Sequence, residues 1–259
     1  MTAFTQELFG IDGRVAAVTG GGGHVCGEMA RGLGKAGCGV AVLDLRPEKA
    51  EAVAAEIKAA GGRAIGVELD AASKVSFENA LATINTEFGP VDIAVNGAGI
   101  NSPKPFLEIE EEDWNAVMNS QITSTLFGCQ VFGAQMLEQG KGSIINISSA
   151  SSGPPLSKAF AYSVAKSGIK NLTQNLGREW GTSGVRVNAI RPGFFPTKWN
   201  RKNFITPERE KAILGHTPMA RYGETSELIG ALIWLASDAA SFVTGAEIEV
   251  DGGFSCMTV

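Results

Sequence analysis

Short apolar runs alternate with longer amphipathic segments along the whole chain. Each run is rich in Val, Ile and Ala and is followed by polar residues or glycine. Near-continuous apolar runs of this length are typical of parallel strands that are buried on both faces. The pattern predicts strands at 15–20, 40–44, 64–70, 91–99, 142–149, 185–193 and 247–253.

The segments between these runs carry apolar residues at helical spacing. Ser73 stands at the position of an N-cap, and glycines end several of the segments. Helices are predicted over 47–62, 73–89 and 162–181, and one extended helix over 110–140. Alternating strands and helices predict βαβ units and an α/β fold, a doubly wound parallel sheet of about seven strands with helices on both faces. Since no linker or repeat interrupts the pattern, residues 1–259 are expected to form a single domain.

The segment 194–223 departs from this alternation, because it contains prolines and several charges directly after a predicted strand. In open α/β sheets, ligands bind outside the carboxyl ends of the strands. The position therefore favours a lid over a substrate. An ordinary surface excursion is the alternative.

Composition and charge narrow the class of protein. The net charge of −5 argues against a nucleic acid partner, which needs a basic face. No apolar run reaches the length of a membrane span, and the N-terminus lacks the pattern of a signal peptide. The four cysteines are scattered and there are two histidines, so no zinc site is predicted. We expect a reduced, cytoplasmic protein with no metal.

A glycine-rich stretch follows the first predicted strand. The sequence TGGGG at 19–23 leads into a helix-forming segment. Glycines let the backbone approach a pyrophosphate, which the N–H groups of a helix N-terminus bind. Asp44 ends the second strand, where a carboxylate accepts hydrogen bonds from the adenosine ribose and repels a 2′-phosphate. The glycine-rich stretch and Asp44 together favour NAD over NADP, although Arg46 weakens that preference. A plain glycine-rich turn is the alternative.

Tyr162 and Lys166 share one face of a predicted helix, since positions i and i+4 are neighbours. An ammonium near a phenol favours the phenolate, so Lys166 is expected to lower the pKa of Tyr162 towards working pH. Such a phenol can donate a proton to a carbonyl oxygen or take one from an alcohol. Ser149 follows the nearby strand and can converge on Tyr162, whereas Ser148 is expected to point to the opposite side.

The chain resembles the short-chain dehydrogenase/reductase family in four motifs. These are T-G-x-x-x at 19–23, N-x-A-G at 96–99, a serine followed by Y-x-x-x-K at 149–166, and V-N-x-I-x-P-G at 187–193. The resemblance implies a Rossmann-type domain that passes a hydride between nicotinamide and a carbonyl or alcohol. It implies that Tyr162 is the general acid/base, that Lys166 holds the nicotinamide ribose, and that Ser149 binds the reacting oxygen.

The resemblance also implies a cofactor site. In it Asp70 contacts adenine, Asn96 and Gly97 border the adenosine ribose, and Pro192 and Gly193 wrap the nicotinamide. The expected cofactor-binding set is Gly20, Gly22, Gly23, His24, Val25, Asp44, Leu45, Asp70, Ala71, Asn96, Gly97, Ala98, Tyr162, Lys166, Pro192, Gly193, Phe195 and Thr197.

The sequence departs from the family pattern at three places. His24 and Cys26 replace loop glycines, and Gly97 stands in the second position of the N-N-A-G motif. Gln121 stands where many members have a catalytic Asn. We expect Gln121 to retain a water-mediated proton relay with shifted geometry, since its amide reaches one methylene further. Support of the helix alone is the alternative.

Basic residues border the predicted pocket and favour an anionic substrate. They are Lys104, Lys158, Lys198, Arg201 and Lys202. Simple solvent exposure of these side chains is the alternative. The expected substrate-binding set is Ser149, Ser151, Lys158, Tyr162, Lys198 and Arg201.

The sequence is similar to the D-mannonate oxidoreductase (fructuronate reductase) and gluconate 5-dehydrogenase branches of the family. That resemblance implies a sugar acid or related polyol as substrate. A 3-oxoacyl thioester reductase is the alternative enzyme, and a non-catalytic NAD-binding scaffold is the alternative of another class. The resemblance also implies a homotetramer.

Overall fold

The computed structural model describes residues 2–197, 201 and 205–257. Within this part of the chain, seven strands form one sheet. They are β1 (Val15–Thr19), β2 (Gly39–Asp44), β3 (Arg63–Glu68), β4 (Ile93–Asn96), β5 (Gly142–Ile147), β6 (Val185–Pro192) and β7 (Glu247–Val250). All neighbouring strands are parallel, in the order β3-β2-β1-β4-β5-β6-β7. This confirms the predicted doubly wound α/β fold.

Helices of the described chain connect the strands. They are α1 (Ala3–Phe9), α2 (His24–Lys35), α3 (Pro47–Ala59), α4 (Lys74–Glu87), α5 (Glu111–Met118), α6 (Ser124–Gln139), α7 (Phe160–Trp180), α8 (Pro207–Gly215) and α9 (Ile229–Ala236). None of the helices described is long and apolar enough to cross a membrane.

The sheet is buried on both faces. Ala16 and Val18 of β1 belong to a core with α2, α3 and α9, whereas Val15 and Ala17 belong to a second core with α4 and α6. Because successive strand residues point to opposite faces, each strand must be apolar at nearly every position. The two cores hold the carboxyl ends of the strands in fixed places, and the loops after them carry the chemistry.

The order of the strands creates a switch point between β1 and β4. Thr19 at the end of β1 lies beside Leu43 of β2 on one side and Asn96 of β4 on the other. The connections leave in opposite directions from this point, so a crevice opens beyond the carboxyl ends of β1 and β4.

Four features differ from the sequence prediction. The extended helix expected over 110–140 is helical throughout 111–139, but it contains a π-helical turn at Asn119–Thr123. The segment 194–223 is not wholly irregular, because Thr206 caps the N-terminus of α8 inside it. The helices α1 and α9 were not predicted: α1 buries no side chain, and α9, IGALIWLA, is apolar on all sides and lacks a helical period.

Candidate active site

The loop after β1 is built from glycines that have little room for side chains. Gly20 has φ +66°, and a Cβ there would lie 3.0 Å from the Cα of Ala98. A Cβ on Gly22 would lie 2.9 Å from Oδ2 of Asp44. The N–H of Gly21 donates to the carbonyl oxygen of Leu43 at 2.9 Å. These contacts hold the loop against the ends of β2 and β4.

The helix α2 begins at His24 directly after this loop. Its N-cap is Gly23, which has no side chain to accept a hydrogen bond from the first turn. The first N–H groups of a helix have no partner within the helix, and their positive end attracts anions. An uncapped helix start behind a glycine loop fits the pyrophosphate of a dinucleotide. His24 is exposed at this first helical position.

Asp44 lies beside the loop, with only 7% of its surface exposed. Its Oδ2 accepts from the N–H of Gly22 at 3.1 Å, and its Oδ1 accepts from the N–H of Arg46 at 3.1 Å. The Nε of Arg46 lies 3.5 Å from the same Oδ1. A carboxylate has about four lone-pair sites, so it can accept further bonds from ribose hydroxyls.

Thr19 organises the opposite wall of the crevice. Its Oγ1 accepts from the N–H groups of Gly97 at 3.0 Å and Ala98 at 3.3 Å. Asn96 differs from expectation, because its side chain is buried between strands, where Nδ2 donates to Oδ1 of Asn146 at 2.9 Å. Its side chain therefore ties β4 to β5, and only its backbone can border a cofactor.

The other expected cofactor residues follow the strand ends. Asp70 is exposed after β3, and its Oδ1 accepts from the N–H of Ala72 at 2.9 Å. Gly193 follows β6, where a Cβ would lie 2.7 Å from the Cα of Asp251. Leu45 is exposed after β2, whereas Val25, Ala71, Phe195 and Thr197 are partly buried.

The expected catalytic side chains come together at the end of β5. Lys166 is one turn after Tyr162 on α7, with its Nζ 5.5 Å from the centre of the Tyr162 ring. Lys166 is 3% exposed, and its Nζ donates to the carbonyl oxygen of Ile147 at 2.6 Å. Ser149 follows β5 and hydrogen-bonds Tyr162. The hydroxyl of Ser148 points away, as expected, and donates to Glu247 at 2.6 Å.

The expected lowering of the Tyr162 pKa by Lys166 is wrong for this structure. Burial raises the pKa of Tyr162, and the group that lowers it is Ser149 through its hydrogen bond. Burial also lowers the pKa of Lys166 to about 8, because a charged ammonium is costly away from water. The ammonium of Lys166 is therefore buried near the phenol but is not among the groups that lower the pKa of Tyr162.

Gln121 lies in the π-helical turn with 3% of its surface exposed. Its Nε2 donates to the carbonyl oxygen of Ile100 at 2.8 Å. Its Oε1 is buried and has no hydrogen-bond partner among the described residues. Gly99 makes room for the amide, since a Cβ there would collide with it. A buried acceptor without a partner, such as this Oε1, is an atom to which a relay water would donate a hydrogen bond.

The expected substrate residues fall into different situations. The Oγ of Ser151 is buried without a hydrogen-bond partner in the described chain. Lys158 is exposed, with φ +55°. The guanidinium of Arg201 lies 4.8 Å from the centre of the Tyr222 ring. Lys104 forms an ion pair with Asp113. Lys198 and Lys202 lie outside the described residues.

A family model described as enoyl-(acyl carrier protein) reductase matches residues 25–255. The match spans most of the chain, from the first turn of α2 to the residues after β7. The chain belongs to the short-chain dehydrogenase/reductase family. It is an oxidoreductase that acts on CH–OH groups with a nicotinamide cofactor.

Relatives of this dehydrogenase/reductase cover nearly its full length. It is 40% identical to an uncharacterized oxidoreductase, UxuB, of Bacillus subtilis (strain 168), over 93% of this chain and 95% of the relative. It is 35% identical to a D-threitol dehydrogenase of Mycolicibacterium smegmatis, over 96% of this chain and 98% of the relative. The likeness to the mannonate branch is only loose.

A solved structure agrees closely with the fold. It is a gluconate 5-dehydrogenase from Burkholderia cenocepacia J2315 in complex with NADP and tartrate. The TM-score is 0.93 at 32% identity, covering 98% of this chain and 100% of the other.

Sequence reasoning missed several residues of the dehydrogenase site. Thr19 was not identified as the organiser of the Gly97–Ala98 backbone, although a Thr that ends a buried strand was a usable signal. The ion pair of Arg191 with Glu247, next to Ser148, was also missed. The charge of Arg191 at a buried position of β6 was the usable signal there.

Proposed function

We propose that the protein is an NAD-dependent dehydrogenase that interconverts a secondary hydroxyl and a ketone on a sugar acid or related polyol. The observation that carries this proposal is the meeting of Ser149, Tyr162 and Lys166 at the carboxyl edge of the sheet, beside the Asp44 loop. A scaffold without catalysis needs none of the three in this arrangement.

Each side chain has a role in the proposed reaction. The hydroxyl of Tyr162 donates a proton to the reacting carbonyl oxygen, or accepts one from the alcohol. Ser149 hydrogen-bonds both Tyr162 and the reacting oxygen, which orients the substrate. The nicotinamide cofactor, when bound, supplies or accepts the hydride. Lys166 holds the nicotinamide ribose, and Gln121 offers its unpaired Oε1 to a water in the proton relay.

The substrate proposal rests on the hydroxyl and cationic side chains that are expected to bind the substrate. Ser151 offers a buried, unpaired hydroxyl, which suits a polyhydroxylated substrate. Lys158, Lys198 and Arg201 are proposed to attract a carboxylate. The named activities and ligand of the relatives support the same class: a gluconate 5-dehydrogenase bound to tartrate and a D-threitol dehydrogenase.

Asp44 supports NAD as the cofactor, because a buried carboxylate at the ribose repels a 2′-phosphate. NADP is the second candidate, since the Burkholderia structure contains NADP and Arg46 lies beside Asp44. Asp44→Asn keeps a hydrogen-bond acceptor and removes the charge. We expect it to lower the NAD-over-NADP ratio of kcat/KM by at least about tenfold, or roughly 1.4 kcal/mol. A wild-type enzyme that prefers NADP would overturn this part of the proposal.

The function is tested with a substrate panel. The protein is incubated with NAD or NADP and with aldonates, uronates, neutral polyols and, as ketone substrates with the reduced cofactors, a 3-oxoacyl thioester and keto-aldonates. Absorbance at the reduced nicotinamide band reports turnover, and Tyr162→Phe is the control for catalysis by this site. Turnover of the thioester alone would favour the acyl reductase, and cofactor binding without any turnover would favour the scaffold.

A variant of Lys158 distinguishes an anionic sugar acid from a neutral polyol as the substrate. A positive φ is strained for lysine but suits glycine, so Lys158→Gly removes the ammonium without straining the turn. We expect the KM of an anionic substrate to rise about five- to tenfold, roughly 1 to 1.4 kcal/mol, and the KM of a neutral polyol to stay unchanged.

A homotetramer remains part of the proposal, and light scattering of the purified protein tests it. A monomeric mass would contradict it.

A further inference from the structure

A largely buried carboxylate lies behind the turn that carries Ser149. Glu247 is the first residue of β7, and its side chain is 9% exposed. Its Oε1 accepts from the hydroxyl of Ser148 at 2.6 Å and from the hydroxyl of Ser152 at 2.9 Å. The Nζ of Lys170 lies 3.4 Å from its Oε2. The carboxylate of Glu247 therefore accepts hydrogen bonds from residues before and after Ser149, the residue that is expected to contact the substrate.

Arg191 of β6 holds the same turn from beside Glu247. Its Nη1 lies 3.6 Å from Oε2 of Glu247, and its Nη2 donates to the carbonyl oxygen of Ala150 at 3.3 Å. Gly153 has no side chain, and a Cβ there would collide with the guanidinium. The arginine side chain is 6% exposed. The turn therefore closes directly over a buried ion pair.

The contacts divide the turn into two sides. Ser148, Ala150 and Ser152 face the ion pair, whereas Ser149 faces the catalytic tyrosine and accepts from the N–H of Ser151 at 3.2 Å. The N–H of Ser152 donates to the carbonyl oxygen of Ser149 at 2.9 Å. The backbone on each side of Ser149 is thus fixed by groups that do not touch the reaction.

We propose that Glu247 and Arg191 are positioning residues that hold the 148–153 turn so that the Ser149 hydroxyl reaches Tyr162. The inference rests on the proposed role of Ser149 and Tyr162 in catalysis. Charge-assisted hydrogen bonds are stronger than neutral ones, and a buried pair leaves an uncompensated charge when one partner is removed. Catalytic geometry is sensitive to displacements of about 1 Å, which can cost on the order of 100-fold in rate.

The first test reads the Ser149–Tyr162 contact without cofactor or substrate. The chain has two tyrosines, so Tyr222→Phe leaves Tyr162 as the only one. The Tyr222 hydroxyl is buried without a partner in the described chain, so its loss is expected to be mild. Tyrosinate absorbance then gives the titration midpoint of Tyr162, with circular dichroism recorded on the same samples.

In this background, Glu247→Gln is expected to raise the midpoint, because the Ser149 hydrogen bond lowers the pKa of Tyr162. Ser149→Ala is the positive control. Glu249→Gln is the matched control: Oε1 of Glu249 lies 2.8 Å from Nη1 of Arg191, yet within the described chain its carboxylate forms no hydrogen bond with the turn. An unmoved midpoint in Glu247→Gln, or an equal rise in Glu249→Gln, would overturn the proposal.

The second test measures turnover on whichever substrate the wild type accepts. Glu247→Gln is expected to lower kcat at least tenfold with unchanged cofactor Kd, and Glu249→Gln less than twofold. A parallel loss of cofactor binding would show a general structural defect and contradict the positioning role. Glu247→Gln weakens the hydrogen bonds from the turn by removing the charge. If it does not fold, the double variant Ser148→Ala/Ser152→Ala removes the two hydroxyls that donate to Glu247. If the wild type turns over no sugar acid, the proposed function is contradicted. The positioning role is still tested by the titration of Tyr162, which needs no substrate.

Discussion

The sulfur of Cys26 fills the space that a side chain at position 97 would need. A Cβ built on Gly97 would collide with the Sγ of Cys26. Cys26 is 5% exposed, and burial raises the pKa of its thiol to about 12, so the thiol packs as a neutral group. The two departures from the family motifs therefore meet in space, and we interpret them as one exchange, in which the glycine absent at 26 is recovered at 97.

The exchange predicts coupling between the two positions. Gly97→Ala is expected to destabilise the protein by about 1–3 kcal/mol, because the added methyl overpacks against the sulfur. Cys26→Ala removes that sulfur, so the double variant is expected to recover at least about 1 kcal/mol relative to the sum of the single changes. Urea unfolding measures all four proteins. Additive single and double effects would show that the two residues do not share this space.

The exposed position of His24 predicts a small role in cofactor affinity. Backbone N–H groups at the start of α2 can bind phosphate while the imidazole turns outward. His24→Gly is expected to leave NAD affinity within about tenfold, roughly 1.4 kcal/mol. Quenching of intrinsic fluorescence on NAD addition measures the Kd. A much larger loss would identify His24 as a cofactor ligand.

Gln121 provides a test of the relay. Gln121→Asn keeps the amide on a shorter side chain, and Gln121→Ala removes it. We expect Ala to lower kcat by about tenfold or more and Asn to retain more activity, because a positioned general acid–base group contributes on the order of 100- to 10,000-fold in rate. Steady-state kinetics at saturating cofactor gives kcat and KM separately. If the Ala variant is indifferent, Gln121 only supports the helix.

The sequence predicts the sheet well because a parallel strand that is buried on both faces has little freedom in composition. Helix α9 escapes the same reasoning, since a helix that is apolar on all sides has no period to detect. The π-helical turn around Gln121 is missed as well, because the stretch Asn119–Thr123 is too short to show a period of its own.

The candidate site also contains residues that the sequence predicts and contacts that it does not. Asp44, Tyr162 and Lys166 are predictable because each has a fixed distance from a strand or a helical partner. The contacts of Cys26 with Gly97, and of Glu247 with Ser148, join residues that are far apart in sequence. Only the packing of separate strands and helices brings them together, so no local pattern in the chain reports them.

Lys166 predicts an unusual dependence of stability on pH. Its pKa in the folded protein is about 8, below the 10.5 of an unperturbed lysine, because of burial. Between these values the unfolded chain binds more protons, so the stability contributed by this residue rises with pH through the window. Below pH 8 both states are protonated and the full cost of burying the charge remains, on the order of 3 kcal/mol.

Lys166→Met is therefore expected to abolish turnover and yet stabilise the folded protein at pH 7. The gain is smaller than the full burial cost, because the hydrogen bond to the carbonyl oxygen of Ile147 is lost, at about 1 kcal/mol. The difference from wild type should shrink as the pH rises from about 8 to 10.5. Lys141→Met, at a side chain that is 70% exposed, is the control and should show no such trend. Chemical unfolding at pH 7, 8.5 and 10 measures the trend, and a difference that stays constant across this range would mean that Lys166 is not held at a lowered pKa.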